Sequence, residues 1–175
     1  VLADGTLYQV DLKKNKQTTL AENLKEGQYA VSGDGHLMAY ESEGNKKGGT
    51  EIQVMNLSSL ETNTVEAASG EKISPLGFVN GDFIYGKMKS EDAGKKASGE
   101  SITPMYELEI RNSKNKKVAS YSFVDKGIYI SDILIDDNMV TLNRVEKSGD
   151  IYNVTSQEFI TNNEERKDTT IKTEV

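Results

Sequence analysis

A strand–turn–strand pattern recurs four times along this chain, and that recurrence restricts the chain to a repetitive all-β architecture. One ladder consists of Leu7-Tyr8-Gln9-Val10-Asp11-Leu12, Glu51-Ile52-Gln53-Val54-Met55-Asn56, Met105-Tyr106-Glu107-Leu108-Glu109-Ile110 and Ile151-Tyr152-Asn153-Val154-Thr155. Anchored on Tyr8, Ile52, Tyr106 and Tyr152, its spacings are 44, 54 and 46 residues. The long interval holds residues 90–103, rich in Gly, Ser, Lys and Glu, which read as an inserted flexible loop of about ten extra residues. Excising that loop should leave thermal stability almost unchanged.

A second ladder falls between those segments. Gln28-Tyr29-Ala30-Val31 leads through Ser32-Gly33-Asp34-Gly35 to Leu37-Met38-Ala39-Tyr40; Pro75-Leu76-Gly77-Phe78 leads through Asn80-Gly81 to Phe83-Ile84-Tyr85; Ile130 to Ile135 leads through Asp136-Asp137-Asn138 to Met139-Val140-Thr141-Leu142. Asp-Gly and Asn-Gly tolerate the positive φ of tight hairpins, so each unit reads as a hairpin. Leu37-Met38-Ala39, Phe83-Ile84-Tyr85 and Met139-Val140 are apolar on successive residues, which predicts burial of both strand faces. Tyr106, Leu108 and Ile110 alternate with Glu107, Glu109 and Arg111, which predicts a strand with one wet face. No window carries a convincing helical period. The repeats cover approximately 5–24, 28–67, 73–123 and 128–163 of a single domain 1–175, with Thr169 to Val175 a candidate last strand. A 44–46-residue period matches a four-stranded propeller blade.

Ser32-Gly33-Asp34-Gly35-His36-Leu37-Met38-Ala39-Tyr40 resembles the S-P-D-G-x-x-I-A-Y signature of TolB-type, WD40-like β-propeller repeats, with Gly33 in place of the usual Pro. The later turns keep the hairpin and lose the motif. The resemblance implies a β-propeller-like fold of antiparallel four-stranded blades, here a partial propeller of about 3–4 blades. It also implies a protein-binding platform in the bacterial cell envelope, or a non-catalytic domain beside a peptidase. A chain that opens on Val1-Leu2-Ala3 reads as one whose leader was removed or as a segment of a larger protein. A fragment of a larger propeller or an open arc is favoured over a closed four-bladed ring, and an open arc would leave sheet edges free for self-association.

Composition excludes several chemistries. With 21 Lys+Arg against 28 Asp+Glu, a net charge of −7 and a pI near 4.9, the chain is a poor match for nucleic acid or anionic lipid. No apolar run reaches a membrane span. Zero Cys removes disulfides and thiolate metal sites, and one His cannot build a usual zinc site. No phosphate-binding Gly-rich motif is present, so no cofactor is expected. His36 reads as an exposed turn residue, since no G-x-S-x-G elbow presents a nucleophile to it. Asp34, Asp82, Asp132, Asp136 and Asp137 read as turn formers, with calcium binding or glycoside hydrolysis as the chemical alternatives. Tyr8, Tyr106 and Tyr152 read as packing residues, as do Tyr40, Phe78, Phe83 and Tyr85. Lys13 to Lys16 and Lys114 to Lys117 read as solubilising hairpin tips able to meet an acidic partner. Asn56-Leu57-Ser58 and Asn153-Val154-Thr155 match glycosylation sequons, which matter only in a eukaryotic secretory context.

No residue is assigned a catalytic, cofactor or metal role. The expected function is a non-enzymatic interaction or ligand-sensing module of an extracytoplasmic bacterial protein, with a protein partner. The alternative is a carbohydrate-active propeller enzyme, or the accessory propeller of a hydrolase or peptidase.

Overall fold

The computed structural model describes residues 1–42 and 49–161. The candidate strand Thr169 to Val175 lies outside them. Among the described residues the chain is all-β. In order, the strands are β1 (Leu2–Ala3), β2 (Thr6–Asp11), β3 (Lys16–Ala21), β4 (Tyr29–Val31), β5 (Leu37–Glu41), β6 (Glu51–Asn56), β7 (Thr62–Glu66), β8 (Glu71–Val79), β9 (Asp82–Lys89), β10 (Gly94–Lys96), β11 (Ser101–Ile102), β12 (Met105–Arg111), β13 (Lys117–Tyr121), β14 (Ile128–Asp136), β15 (Met139–Ser148), β16 (Ile151–Val154) and β17 (Glu158–Thr161). Single 3-10 turns occupy Ser90–Asp92 and Val124–Lys126.

These strands form a three-stranded sheet β1-β2-β3, a four-stranded sheet β4-β5-β6-β7 and a ten-stranded sheet that curls into a half-barrel. The expectation was one separate four-stranded sheet per repeat, and the third and fourth repeats depart from it. Strands β8-β9-β12-β13 pair antiparallel in the expected order, but they are continuous with the fourth repeat. Two links join them. Met105 on β12 pairs with Ile130 on β14, and β10 runs parallel to β16 with Lys95 opposite Ile151.

The second link corrects the reading of residues 90–103. The insertion folds into a turn and a short hairpin of β10 and β11 rather than remaining a flexible loop. Tyr152, 1% exposed, donates its hydroxyl to the Asp92 carbonyl at 2.6 Å. Gly94 lies so close to this ring that a Cβ there would sit 2.8 Å from the Asp150 carbonyl and from the Tyr152 ring. A Ser/Gly/Lys-rich composition signals a loop, but the β10–β11 hairpin, its pairing with β16 and the Asp92 carbonyl held by Tyr152 order it.

The apolar doublets follow from how the sheets stack. Met38 and Tyr40 pack with Leu7, Ala21 and Leu24 of the first repeat, while Ala39 between them packs with Ile52, Val65, Phe78 and Phe83 on the other side. Phe83 and Tyr85 belong to that second cluster, and Ile84 faces a third cluster with Leu108, Ile110, Val140 and Leu142. Successive residues on a strand point to opposite faces, so a sheet sandwiched between two neighbours must be apolar on both. Each fully buried Ile or Leu contributes about 1.5–3 kcal/mol of transfer free energy. The fourth repeat has only one neighbour among the described residues. Val140 is 1% exposed, but Met139 is 42% exposed and Leu134 61% exposed, so the expected double burial of Met139-Val140 does not occur.

The outer hairpins share a turn. Asp11 accepts the Lys13 and Lys14 N–H groups, Asn56 accepts those of Ser58 and Ser59, and Asn112 accepts those of Lys114 and Lys116. A left-handed residue follows in each: Asn15 (φ 45°), Leu60 (φ 63°) and Asn115 (φ 60°). Asn tolerates that region, whereas Leu60 occupies it at a cost of about 1 kcal/mol.

Two measurements check this account. Replacing residues 91–102 with a short Gly-Ser linker should lower unfolding free energy by about 1–3 kcal/mol, because Tyr152 loses its buried acceptor; an unchanged melt would show that the insertion carries no stability. Leu60→Asn should raise stability by about 1 kcal/mol in the same assay by relieving the left-handed strain.

Candidate functional site

Three concave or charged regions stand out, and each grows from the stacking. The first is a groove of about 910 Å³ between β4, β8 and β14. These are the first strands of three consecutive repeats, and their hairpin turns gather at it. Ala30, Val31, Leu76, Phe78 and Ile133 to Ile135 supply apolar surface, and among the described residues Asp34 and Asp137 are the charged lining residues and none is basic. Val31 is 49% exposed and Leu134 61% exposed at its mouth. Hydrogen bonds from Ser32 Oγ at 2.6 Å and the His36 N–H at 2.9 Å hold the Asp34 carboxyl below its ordinary value, so this group is an anion at neutral pH.

The second region is an ionic cluster between the second and third repeats. Glu109, expected on a wet face, is 3% exposed. Its face is covered by the neighbouring sheet, where Phe83 and Tyr85 pack on Ala39, Ile52 and Val65. The Tyr85 hydroxyl donates to Glu109 Oε2, Arg111 Nε to the same oxygen at 2.7 Å, and Lys87 Nζ to Oε1 at 3.2 Å. Lys87 also meets Glu107 at 2.7 Å, and the Arg111 guanidinium lies over the Tyr85 ring at 5.6 Å. Burial acts to raise the Glu109 carboxyl, but the hydrogen bonds from Tyr85 and Arg111 and the Lys87 charge outweigh it, and its pKa falls below the ordinary 4.5. Burial, then the Glu109 bond, pushes the Tyr85 phenol well up. The Lys87 ammonium is raised because its two glutamates overcome the opposing effect of burial. The charges on Glu109, Lys87 and Arg111 are therefore held in their ionised forms. Such an arrangement fixes the strands together.

The third region is a cleft of about 350 Å³ at the outer end of the same inter-sheet seam. Leu37, Val54, Phe78 and Phe83 line its apolar part, and Asn56, Asn63 and Asn112 line its polar part. Asn63 Nδ2 donates to the Ser113 carbonyl at 3.1 Å, and Asn115 Nδ2 to the Thr64 carbonyl at 3.1 Å, tying one repeat to the next beside the cleft.

The residues singled out from sequence fall as follows. His36 is exposed, with Ser58 Oγ 3.5 Å from its Nδ1 in a neighbouring turn. Asp34 and Asp137 meet at the groove; Asp132 and Asp136 are exposed on β14. Asp82 opens β9 beside the Asn80-Gly81 turn. Tyr106 donates to Glu71 Oε2 at 2.7 Å under the Lys89 ammonium. Burial and the Asp92 charge push the Tyr152 phenol up to about 12. Among the described residues no three His, Cys, Asp or Glu side chains converge on a metal position, and no helix is long and apolar enough to cross a membrane. Sequence reading missed the buried role of Glu109 and the amides of the cleft. The one available signal for the amides was the Asx residue at the start of each outer turn.

No family model and no curated protein matches this chain. Among solved structures, a Clostridium novyi NT chain described as a conserved lipoprotein is similar at TM-score 0.55 and 11% identity, covering 91% of this chain and 97% of that one. TolB from Acinetobacter baumannii aligns at TM-score 0.30 and 14% identity, covering 89% of this chain and 46% of TolB. The first similarity is one of fold, and the second superposition is too loose to add to it.

Glu109 yields a pH prediction. A carboxyl whose folded pKa is depressed contributes stability above its unfolded pKa and loses it as pH falls through the folded value. Resistance to urea unfolding should therefore fall as pH drops below the ordinary glutamate value of 4.5, and Glu109→Gln should flatten that acid limb. At pH 7 the same variant should cost about 3 kcal/mol by leaving Lys87 and Arg111 short of a buried counter-charge. An acid limb unchanged by the substitution would remove Glu109 from the account.

Proposed function

We propose that this chain is a non-enzymatic, propeller-like interaction module of a bacterial envelope protein, binding a protein partner along the groove between β4, β8 and β14. The observation that carries the reading is the groove itself: about 910 Å³, apolar along its strands, with acidic turns at its edge and, among the described residues, no basic residue lining it. A partner surface with apolar side chains flanked by Lys or Arg matches that chemistry. In this reading the repeats are blades, β4, β8 and β14 are their innermost strands, and the groove is the part of a central channel that three blades enclose. The four-stranded sheet β4 to β7 and the antiparallel run β8-β9-β12-β13 support it. The envelope placement draws its support from the lipoprotein description of the Clostridium novyi chain with the similar fold.

The absence of enzymatic activity is part of the proposal. Glycoside hydrolysis needs one carboxylic acid that stays protonated near neutrality opposite a second carboxylate. Glu107 and Glu109, the two carboxylates of the ionic cluster on β9 and β12, are both ion-paired to Lys87.

A photo-cross-linking amino acid placed at Val31 or Leu134 tests the reading in the native envelope. Both positions should yield one and the same adduct. That adduct should weaken about tenfold with Leu134→Asp at the Val31 position, and it should be absent from a probe at Lys114 on an outer tip. Identical capture from Lys114, or capture indifferent to Leu134→Asp, would overturn it.

A further inference from the structure

The cleft between the second and third repeats has a feature that the interaction reading does not use. Asn56 and Asn112 stand at equivalent turn positions on the two sheets, and each spends its Oδ1 on two backbone N–H groups. That fixes the orientation of both amides, because the opposite flip would set an NH₂ against two N–H donors. Their Nδ2 donors have no partner among the described residues, and both side chains line the cleft. Asn63 lines it too. Its Nδ2 is committed to the Ser113 carbonyl, so its Oδ1 is the acceptor that remains. The carboxylate of Glu61 adds a second acceptor at the exposed mouth, and the half-buried Leu37 and Val54 supply the apolar wall beside the buried pair Phe78 and Phe83.

We infer that this cleft binds a neutral hexopyranose. Fixed neutral donors alternating with acceptors suit a group that both donates and accepts, and the hydroxyl is that group. An apolar wall on one side suits the C–H face of a sugar ring, and about 350 Å³ lies within the range of small-ligand pockets. Among the described residues the lining holds no cation, so a carboxylate or phosphate ligand finds no counter-charge there. Preorganisation favours binding here, since the amides are already locked by the turns that the fold requires.

The turn chemistry supplies a clean test. Asp11 caps the equivalent turn of the first repeat, so a carboxylate at this position keeps the turn while replacing the NH₂ donor with an acceptor. Saturation-transfer NMR on the intact chain with millimolar glucose, galactose and N-acetylglucosamine should show transfer from at least one of them. Asn56→Asp and Asn112→Asp should each weaken that binding about tenfold without shifting the melting temperature. Chemical-shift changes should centre on the side-chain amides of Asn56 and Asn112. Absence of transfer from all three sugars would overturn the inference, as would binding unchanged in both Asp variants. A melting temperature lowered by Asn→Asp would make affinity loss uninterpretable by itself; Glu61→Gln, on the exposed mouth, then decides, and unchanged affinity there together with shifts away from the amides would overturn the site.

Discussion

The structure depends on strands that are buried on both faces. Met38 and Tyr40 look one way and Ala39 the other; Phe83 and Tyr85 look one way and Ile84 the other. Each such strand joins two cores, so the repeats form a stack in which every interface is shared with a neighbour. Stability in such an array is a sum of sheet and interface contributions, and a repeat removed from the stack would expose an entire apolar face. The concave regions lie where the stacked sheets do not close on each other.

The ionic cluster shows what stacking does to polar chemistry. Glu109 sits on a strand whose sequence alternates in the manner of a surface strand, yet the second repeat covers that face. The cost of desolvating the carboxylate is offset by Tyr85, Lys87 and Arg111, all on β9 and β12 themselves. The charge therefore travels into the interface already paired, and it fixes the register of β9 against β12 more sharply than apolar contacts alone would. Arg144 plays a comparable part in the fourth repeat. It bonds the Ser156 carbonyl at 2.8 Å, where the ladder to β15 lapses between β16 and β17, and its guanidinium stacks over Phe123 at 4.7 Å.

The Asx turns link architecture to the inferred binding site. Asp11, Asn56 and Asn112 do the same structural work, and only the two asparagines leave a donor over. The groove and the cleft accordingly draw on different resources of the fold. The groove is made by the open edges and turns of the first strands, and it suits an extended apolar and basic surface. The cleft is made by the seam between two sheets, and its scale suits a small polyol.

Strand positions, hairpin turns and the double burial of β5 and β9 were legible in the sequence, because side-chain alternation and turn conformation are local properties. Asn80-Gly81 specifies its hairpin whatever surrounds it. The order of residues 90–103, the exposure of Met139 and Leu134 and the burial of Glu109 were not legible. A pleated strand determines which residues share a face, but not what lies against that face; only the packing of one repeat on another decides that. The sequence by itself therefore determined an all-β repeat with tight turns. The tertiary structure decided which faces are dry, which charges must pair, and which side chains line the seam between two sheets, since those placements depend on the packing of segments distant in the sequence whose proximity no local pattern encodes.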